Sequence, residues 1–558
     1  MSWQDELEQL NIKRALAKQM GGADGIERQH GRGKLTVRER IDRLFDENSV
    51  EEFKSSVGDA QYSEDHLLQS FRPGNVIGGY ARIGGRPVCW RGDDFSIRGG
   101  SSDAAGTSKR SIEGNARVRR VPLIKLLDGA GGSVREVAGQ RDMTGSDTVA
   151  RTLAEKADES LVALADQRVV GGFNVPQTFD HTNIATMIDS ELTRMADDNI
   201  LAQIPVVAAV LGSCAGWIAI AAAESHFSIM TKGTSELFVA GPPMIKQAQR
   251  TEIDKHTLGN WEMHVKQTGV VCNVAEDEED AFLQIRQFLS YLPQNAWEVP
   301  PRATPSDDPN RREEELLSII PKDRRSIYDI RKLIDMVVDE GASFEMSRFS
   351  GRALVTLFTR IDGFPVALMA NDSRHDGGAM TAAACRKMER FVDLADTFHL
   401  PIVYLMDVPG FMIGERSEQE ATLKWAARAN QAVYEAKVPF ISILMRRFYG
   451  VAMGGAKSNR GMNVKYAWPS MESGSLPAAG GVMAAYRRAI EAAEDPDATR
   501  IAMEDRLNAL ASVLRRPQLV DEVIDPRDTR PVLVDFIRQA QTIIATQLGP
   551  KLLVGMRP

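Results

Sequence analysis

Apolar runs along the chain stop in the same way in two places. VPLIKLLDGAGG (121–132) and LPIVYLMDVPG (400–410) each pack aliphatic residues together and then close on aspartate and glycine. A shorter β-like run precedes each, PVCW (87–90) and PVALMAN (365–371), with a glycine pair in between at Gly99-Gly100 and Gly377-Gly378. In the second copy Met388, Phe391, Val392, Ala395 and Phe398 recur at helical spacing, which predicts a helix packed on a core. The helix of the first copy is less clearly patterned. Strand, helix, strand at these lengths predicts βαβ units and a largely parallel sheet.

The two copies keep a common frame. RIGGRPV (82–88) and RIDGFPV (360–366) are 278 residues apart, as are the two glycine pairs and Lys109 with Lys387. One residue of slippage then sets Val121-Pro122 on Leu400-Pro401 and Asp128 on Asp407. So many matches in one frame predict a duplicated unit. A third element recurs: Ile204-Pro205 opens a Val/Ala run that breaks at LGSCAGW, and Val438-Pro439 opens FISILM, which breaks at RRFYGVAMGG. Each reads as a buried strand turning into a helix through glycine, with peptide N–H groups exposed at the turn, a setting for an anion or a developing oxyanion.

Composition narrows the possibilities. Residues 297–323, WEVPPRATPSDDPNRREEELLSIIPKD, are dense in proline and charge and read as a linker between domains at 1–296 and 324–558. The 558 residues suffice for two full cores, and 43% hydrophobic with 26% charged residues is ordinary for a soluble protein. Net charge is −8 with no long basic run, which argues against nucleic acid as a partner. No apolar run approaches the roughly 18 residues of a membrane span. The acidic start MSWQDELEQL is no secretory signal, and four scattered cysteines without a CxxC pair suit a reducing interior, the cytoplasm or a mitochondrial matrix. GxSxG, HExxH, the phosphate loop and a strand-borne GxGxxG are all missing, and the eight histidines show no metal spacing. What remains is two peptide N–H sites, one per half, fitted to enolates of an activated carbonyl such as a thioester.

Over nearly its whole length the chain resembles the carboxyltransferase (β) subunits of biotin-dependent acyl-CoA carboxylases of the propionyl-CoA carboxylase type. GRGKLTVRERIDRLFDENSVEEF, GDDFSIRGGSS, LGSCAGW, TSELFVAGPPMIK, LGNWEMH, MDVPGFMIG and RRFYGVAMGGA carry the resemblance, MDVPGFMIG most specifically. It implies an α/β fold of two tandem crotonase-like domains, each building one oxyanion site. It implies transfer of a carboxyl group from carboxybiotin, borne by a biotin carboxylase/biotin carrier partner, to the α carbon of an acyl-CoA. It further implies a site shared between the N-half of one subunit and the C-half of another in a homo-oligomer, usually a hexamer. Carried over by position, the catalytic donors are the N–H groups of Gly216 and Trp217 and of Val451 and Ala452. Gly99, Gly100 and Lys387 fall where the family binds CoA, and Gly454 falls where short-chain members carry an acid that helps set acyl length. Trp217 and Val451 depart from family glycines, and the loss of a side chain at Gly454 is expected to open space for a larger acyl group. With neither an ATP-grasp signature nor a biotinyl-lysine motif, the chain would need a partner to carboxylate biotin. Alternatives are a decarboxylase of malonyl-type thioesters or β-keto acids, with or without biotin, and a non-catalytic assembly scaffold.

Overall fold

The computed structural model describes residues 3–53, 55–63, 67–101, 109–131, 200–305, 307–323 and 326–551. By contacts the chain divides into two units. One comprises Met1–Leu201, Ala208–Ser225 and Gly233–Asn260; the other comprises Ala202–Val207, His226–Lys232 and Trp261–Pro558.

In the first unit the Val37–Leu44 helix starts from a capping box, in which Thr36 and Glu39 satisfy each other's backbone N–H groups. The unit's strands Glu51–Phe53, Val76–Ile83, Arg86–Asp93 and Leu123–Leu127 lie side by side in that order, the first four of a seven-stranded sheet. Val76–Ile83 and Arg86–Asp93 form a hairpin around Gly84 and Gly85, both at positive φ, and the Asp46 carboxylate accepts both turn N–H groups at 2.9 and 2.7 Å.

The second unit repeats this plan. Its sheet runs Phe344–Met346, Leu354–Ile361, Phe364–Asn371, Ile402–Val408, Phe440–Tyr449, Asn463–Ala467 and Glu522–Val523. The Leu354–Ile361/Phe364–Asn371 hairpin turns at Asp362 and Gly363, and Asp339 accepts their N–H groups as Asp46 does in the first unit. Strand register agrees residue for residue. Cys89 pairs with Leu123 and Ala367 with Ile402, in parallel, and the pairing continues to Gly92–Leu126 and Ala370–Leu405. The expected duplication is therefore present in backbone pairing. It also starts earlier than the sequence frame showed. Asp46 and Asp339 are 293 residues apart rather than 278, because the first unit carries an extra antiparallel pair, Gly58–Tyr62 with Leu68–Pro73, between the helix and the hairpin.

The predicted helix is Ala382–Thr397, and Met388, Phe391, Val392, Ala395 and Phe398 are all buried. The proline-rich stretch does not hang between domains. Ala303 donates to Gly363 O, Arg302 pairs with Asp362, Arg311 spans Asp307, Glu313 and the Val338 carbonyl, and Leu316 joins the core of Leu333, Leu357, Leu368 and Trp468. It is a packed arm of the second unit, because its few apolar residues find a core and its charges find partners. Residues 261–296 also fall in the second unit, where Phe288 and Tyr291 of the Glu278–Tyr291 helix pack on Phe358. No helix among the described residues is long and apolar enough to cross a membrane.

Candidate active site

Each unit feeds one long strand into one glycine turn. The fully buried Val206–Val210 strand enters the first unit at Ala208, passes Gly212 and continues as Ser213–Ala215, parallel to Glu236–Phe238. Gly216 then turns at φ 60°, ψ −125° into the Trp217–Ala223 helix. In the second unit Phe440–Tyr449 ends beside Glu472–Gly474, and Gly450 turns at φ 67°, ψ −160° into the Val451–Ala456 3-10 turn. Positive φ at these two glycines lets the chain reverse without a Cβ penalty.

The two turns are held in the same way. Gly216 N–H donates to the carbonyls of Phe238 and Val239 at 3.2 and 3.0 Å; Gly450 N–H donates to Gly474 O at 3.0 Å. The N–H groups that follow have no acceptor among the described residues: Trp217 and Ile218 in one unit, Val451 and Ala452 in the other. This corrects one sequence expectation. Gly216 is spent holding its own turn, so the pair matching Val451 and Ala452 is Trp217 and Ile218. The motif alignment alone could not show this, because an N–H is committed by a strand some twenty residues away. Trp217 is partly buried, Ala452 is buried and Val451 projects its side chain into solvent.

Beneath each turn lies a buried carboxylate that the sequence marked only as the end of an apolar run. Asp128 accepts from Lys34 Nζ at 2.8 Å, Arg40 Nη1 at 3.1 Å and Gln29 Nε2 at 2.7 Å, and Arg40 also donates to Leu211 O, next to Gly212. A Cβ on Gly212 would overlap the Asp128 carboxylate. Asp407 accepts from Arg446 and Arg447 side chains at 2.7–3.1 Å, from the Arg447 N–H at 3.0 Å and from Tyr328 Oη at 3.1 Å. Burial opposes the Asp407 charge, but the two guanidiniums outweigh it and hold the carboxyl below the usual range. Both hubs fix the strand that delivers the turn.

The glycine pairs close over these hubs. Arg98, Gly99 and Gly100 have φ of 49°, 64° and 65°; Asp376, Gly377 and Gly378 have 50°, 61° and 80°. A Cβ on Gly100 would sit 2.7 Å from Asp128 O, and one on Gly378 would sit 3.0 Å from Asp407 O. Ala130 N–H donates to Gly99 O and Ala215 N–H to Gly129 O, so the structure brings the Gly99–Gly100 turn and the Gly216–Trp217 turn onto neighbouring segments.

Two further expectations are not met. Lys387 is buried, and its ammonium donates to the carbonyls of Ser347, Ser350 and Leu354 at 2.9, 3.2 and 2.7 Å. Burial pushes its pKa down to about 7. All three donors hold the 347–354 loop, which leaves none for a phosphate. Gly454 does not leave a void: a Cβ there would overlap the Tyr434 hydroxyl and stand 3.2 Å from Asn430 Nδ2. The expected extra space is filled from the neighbouring Thr422–Glu435 helix.

The model of the carboxyl transferase domain matches residues 28–165 and 186–547. The chain is 32% identical, over 97% of both chains, to a propionyl-CoA carboxylase carboxyltransferase subunit of Haloferax mediterranei. It is 29% identical, over 96% of this chain and 95% of the relative, to the methylmalonyl-CoA decarboxylase alpha subunit of Veillonella parvula. Among solved structures it resembles transcarboxylase 12S, described as a hexamer with methylmalonyl-coenzyme A bound, at TM-score 0.79 and 28% identity over 100% of this chain and 99% of that one.

Proposed function

We propose that this chain, which belongs to the carboxyl transferase domain family, is the carboxyltransferase subunit of a biotin-dependent acyl-CoA carboxylase, built from two tandem crotonase-like domains. The observation that carries the reading is the pair of equivalent turns, each offering two adjacent peptide N–H groups without an acceptor among the described residues. A fixed peptide donor lowers the energy of an oxyanion as it forms and needs no proton transfer of its own. One turn would hold the thioester oxygen as the α carbon gains carbanion character, and the other a ureido oxygen of biotin. The donor sets fit both groups, since each is a pair of neutral N–H donors. A carboxybiotin delivered by a partner chain would supply the carboxyl group, in the cytoplasm.

The chain's own contribution is positioning. The Asp128 and Asp407 hubs fix the delivering strands, and Gly216 and Gly450 spend their own N–H groups to hold the turns. Removal of carbon dioxide from a malonyl-type thioester would use the same donors in reverse, so the assay must read direction. The purified chain is expected to carry along a biotinylated partner and, with it, to fix bicarbonate onto an acyl-CoA in an ATP-dependent, avidin-sensitive reaction. Decarboxylation of a malonyl-type thioester that avidin leaves untouched, with no biotinylated partner present, would overturn the reading.

A further inference from the structure

The Thr422–Glu435 helix presents two uncharged polar groups to the Val451–Ala456 turn, Asn430 and Tyr434, four residues and so one helical turn apart. Both contact the position a side chain on Gly454 would take. The same Asn430 lies 3.8 Å, through Oδ1, from where a Cβ on Gly455 would stand. Both residues are partly buried, and neither side chain makes a hydrogen bond among the described residues. They border the turn within three residues of the Val451 and Ala452 donors. A side chain at 454 is blocked here, because the Tyr434 hydroxyl already stands there.

We propose that Tyr434 and Asn430 are specificity-determining residues, and that the pair selects an acyl-CoA whose acyl chain carries an uncharged hydrogen-bonding oxygen. This rests on the proposed acyl-CoA site, with the Val451–Ala452 turn taken as the one that holds the thioester oxygen. The reason is desolvation. A partly exposed hydroxyl and amide with no partner among the described residues take their hydrogen bonds from water. A plain alkyl tail laid against them strips that water and returns no hydrogen bond, whereas a tail bearing a hydroxyl or keto oxygen replaces it. Gly454 is part of the same device: its lack of a side chain admits the Tyr434 hydroxyl to the wall of the site.

The test is binding of two probes, butyryl-CoA and 4-hydroxybutyryl-CoA, to the intact protein by titration calorimetry. The wild type is expected to favour the hydroxylated probe by about tenfold or more. Tyr434→Phe, which keeps the ring, is expected to bring the ratio close to one. Gly454→Ala is expected to weaken both probes by displacing Tyr434. In the Tyr434→Phe background that loss should shrink, since the ring carbon Cζ lies 3.4 Å from the new methyl and only the Asn430 amide, at 3.2 Å, still has to give way. Equal binding of the two probes by the wild type, or a ratio unchanged in Tyr434→Phe, overturns the inference while leaving the acyl-CoA reading standing. Failure of the wild type to bind either CoA thioester overturns both.

Discussion

Val451 separates a side-chain role from a backbone role. The residue is 77% exposed, while its N–H lacks an acceptor among the described residues. Val451→Ala is therefore expected to keep activity. Val451→Pro deletes the donor and is expected to lower turnover by about 100- to 1,000-fold, the cost of one oxyanion donor, in a protein whose circular dichroism is unchanged. Lys387 gives a second residue-scale expectation, one of pH. Its folded pKa is about 7, against about 10.4 for an unfolded lysine. Between these values the unfolded chain binds the extra proton, so stability rises with pH through this group, by at most about 1.4 kcal/mol per pH unit. Below pH 7 both states hold the proton and the contribution is flat. The gradient in urea midpoint between pH 7 and 9 should be steeper in the wild type than in Lys387→Met. Identical gradients would remove Lys387 as the source.

Turns are the elements on which the site depends, and the two residues of a glycine pair differ in what they tolerate. Gly100 combines positive φ with backbone atoms 2.7 Å from any Cβ, so nothing can move aside. Gly100→Ala should cost about 2 kcal/mol or more. Gly377 also has positive φ, but the nearest atom to its Cβ position is the end of Arg447 at 4.0 Å. Gly377→Asn should cost less than about 1 kcal/mol, because asparagine tolerates the left-handed region. Melting temperatures of the two variants decide this, and an equal drop would show that φ alone matters. The sequence revealed that both glycines recur. It could not rank them, since the distinction lies in what the Asp128 strand brings next to one and the Arg447 side chain next to the other.

At the scale of the whole molecule, the apolar side chains left in water bear on assembly. Ile413, Leu423 and Val451, all in the second unit, are 85, 79 and 77% exposed. Apolar side chains mark a surface that another chain covers only where they join in one contiguous patch. A homo-oligomer, expected to be a hexamer, should appear in light scattering at micromolar concentration. A clean monomer that is fully active would refute shared sites.

The sequence by itself determined the duplication from Arg82 to Asp128 and from Arg360 to Asp407, the parallel strands, the core stripe of the Ala382–Thr397 helix and the position of both glycine turns. These are local patterns: apolar period, glycine where φ must be positive, and aspartate at a strand end. Tertiary structure alone decided the rest. It showed that Gly216 is occupied by Phe238 and Val239, that Lys387 holds a loop, that residues 297–323 pack as an arm, and that Tyr434 fills the place beside Gly454. Each of these depends on which distant segment lies within about 3 Å, and a hydrogen bond or a steric overlap at that range has no signature in the spacing of residues along the chain.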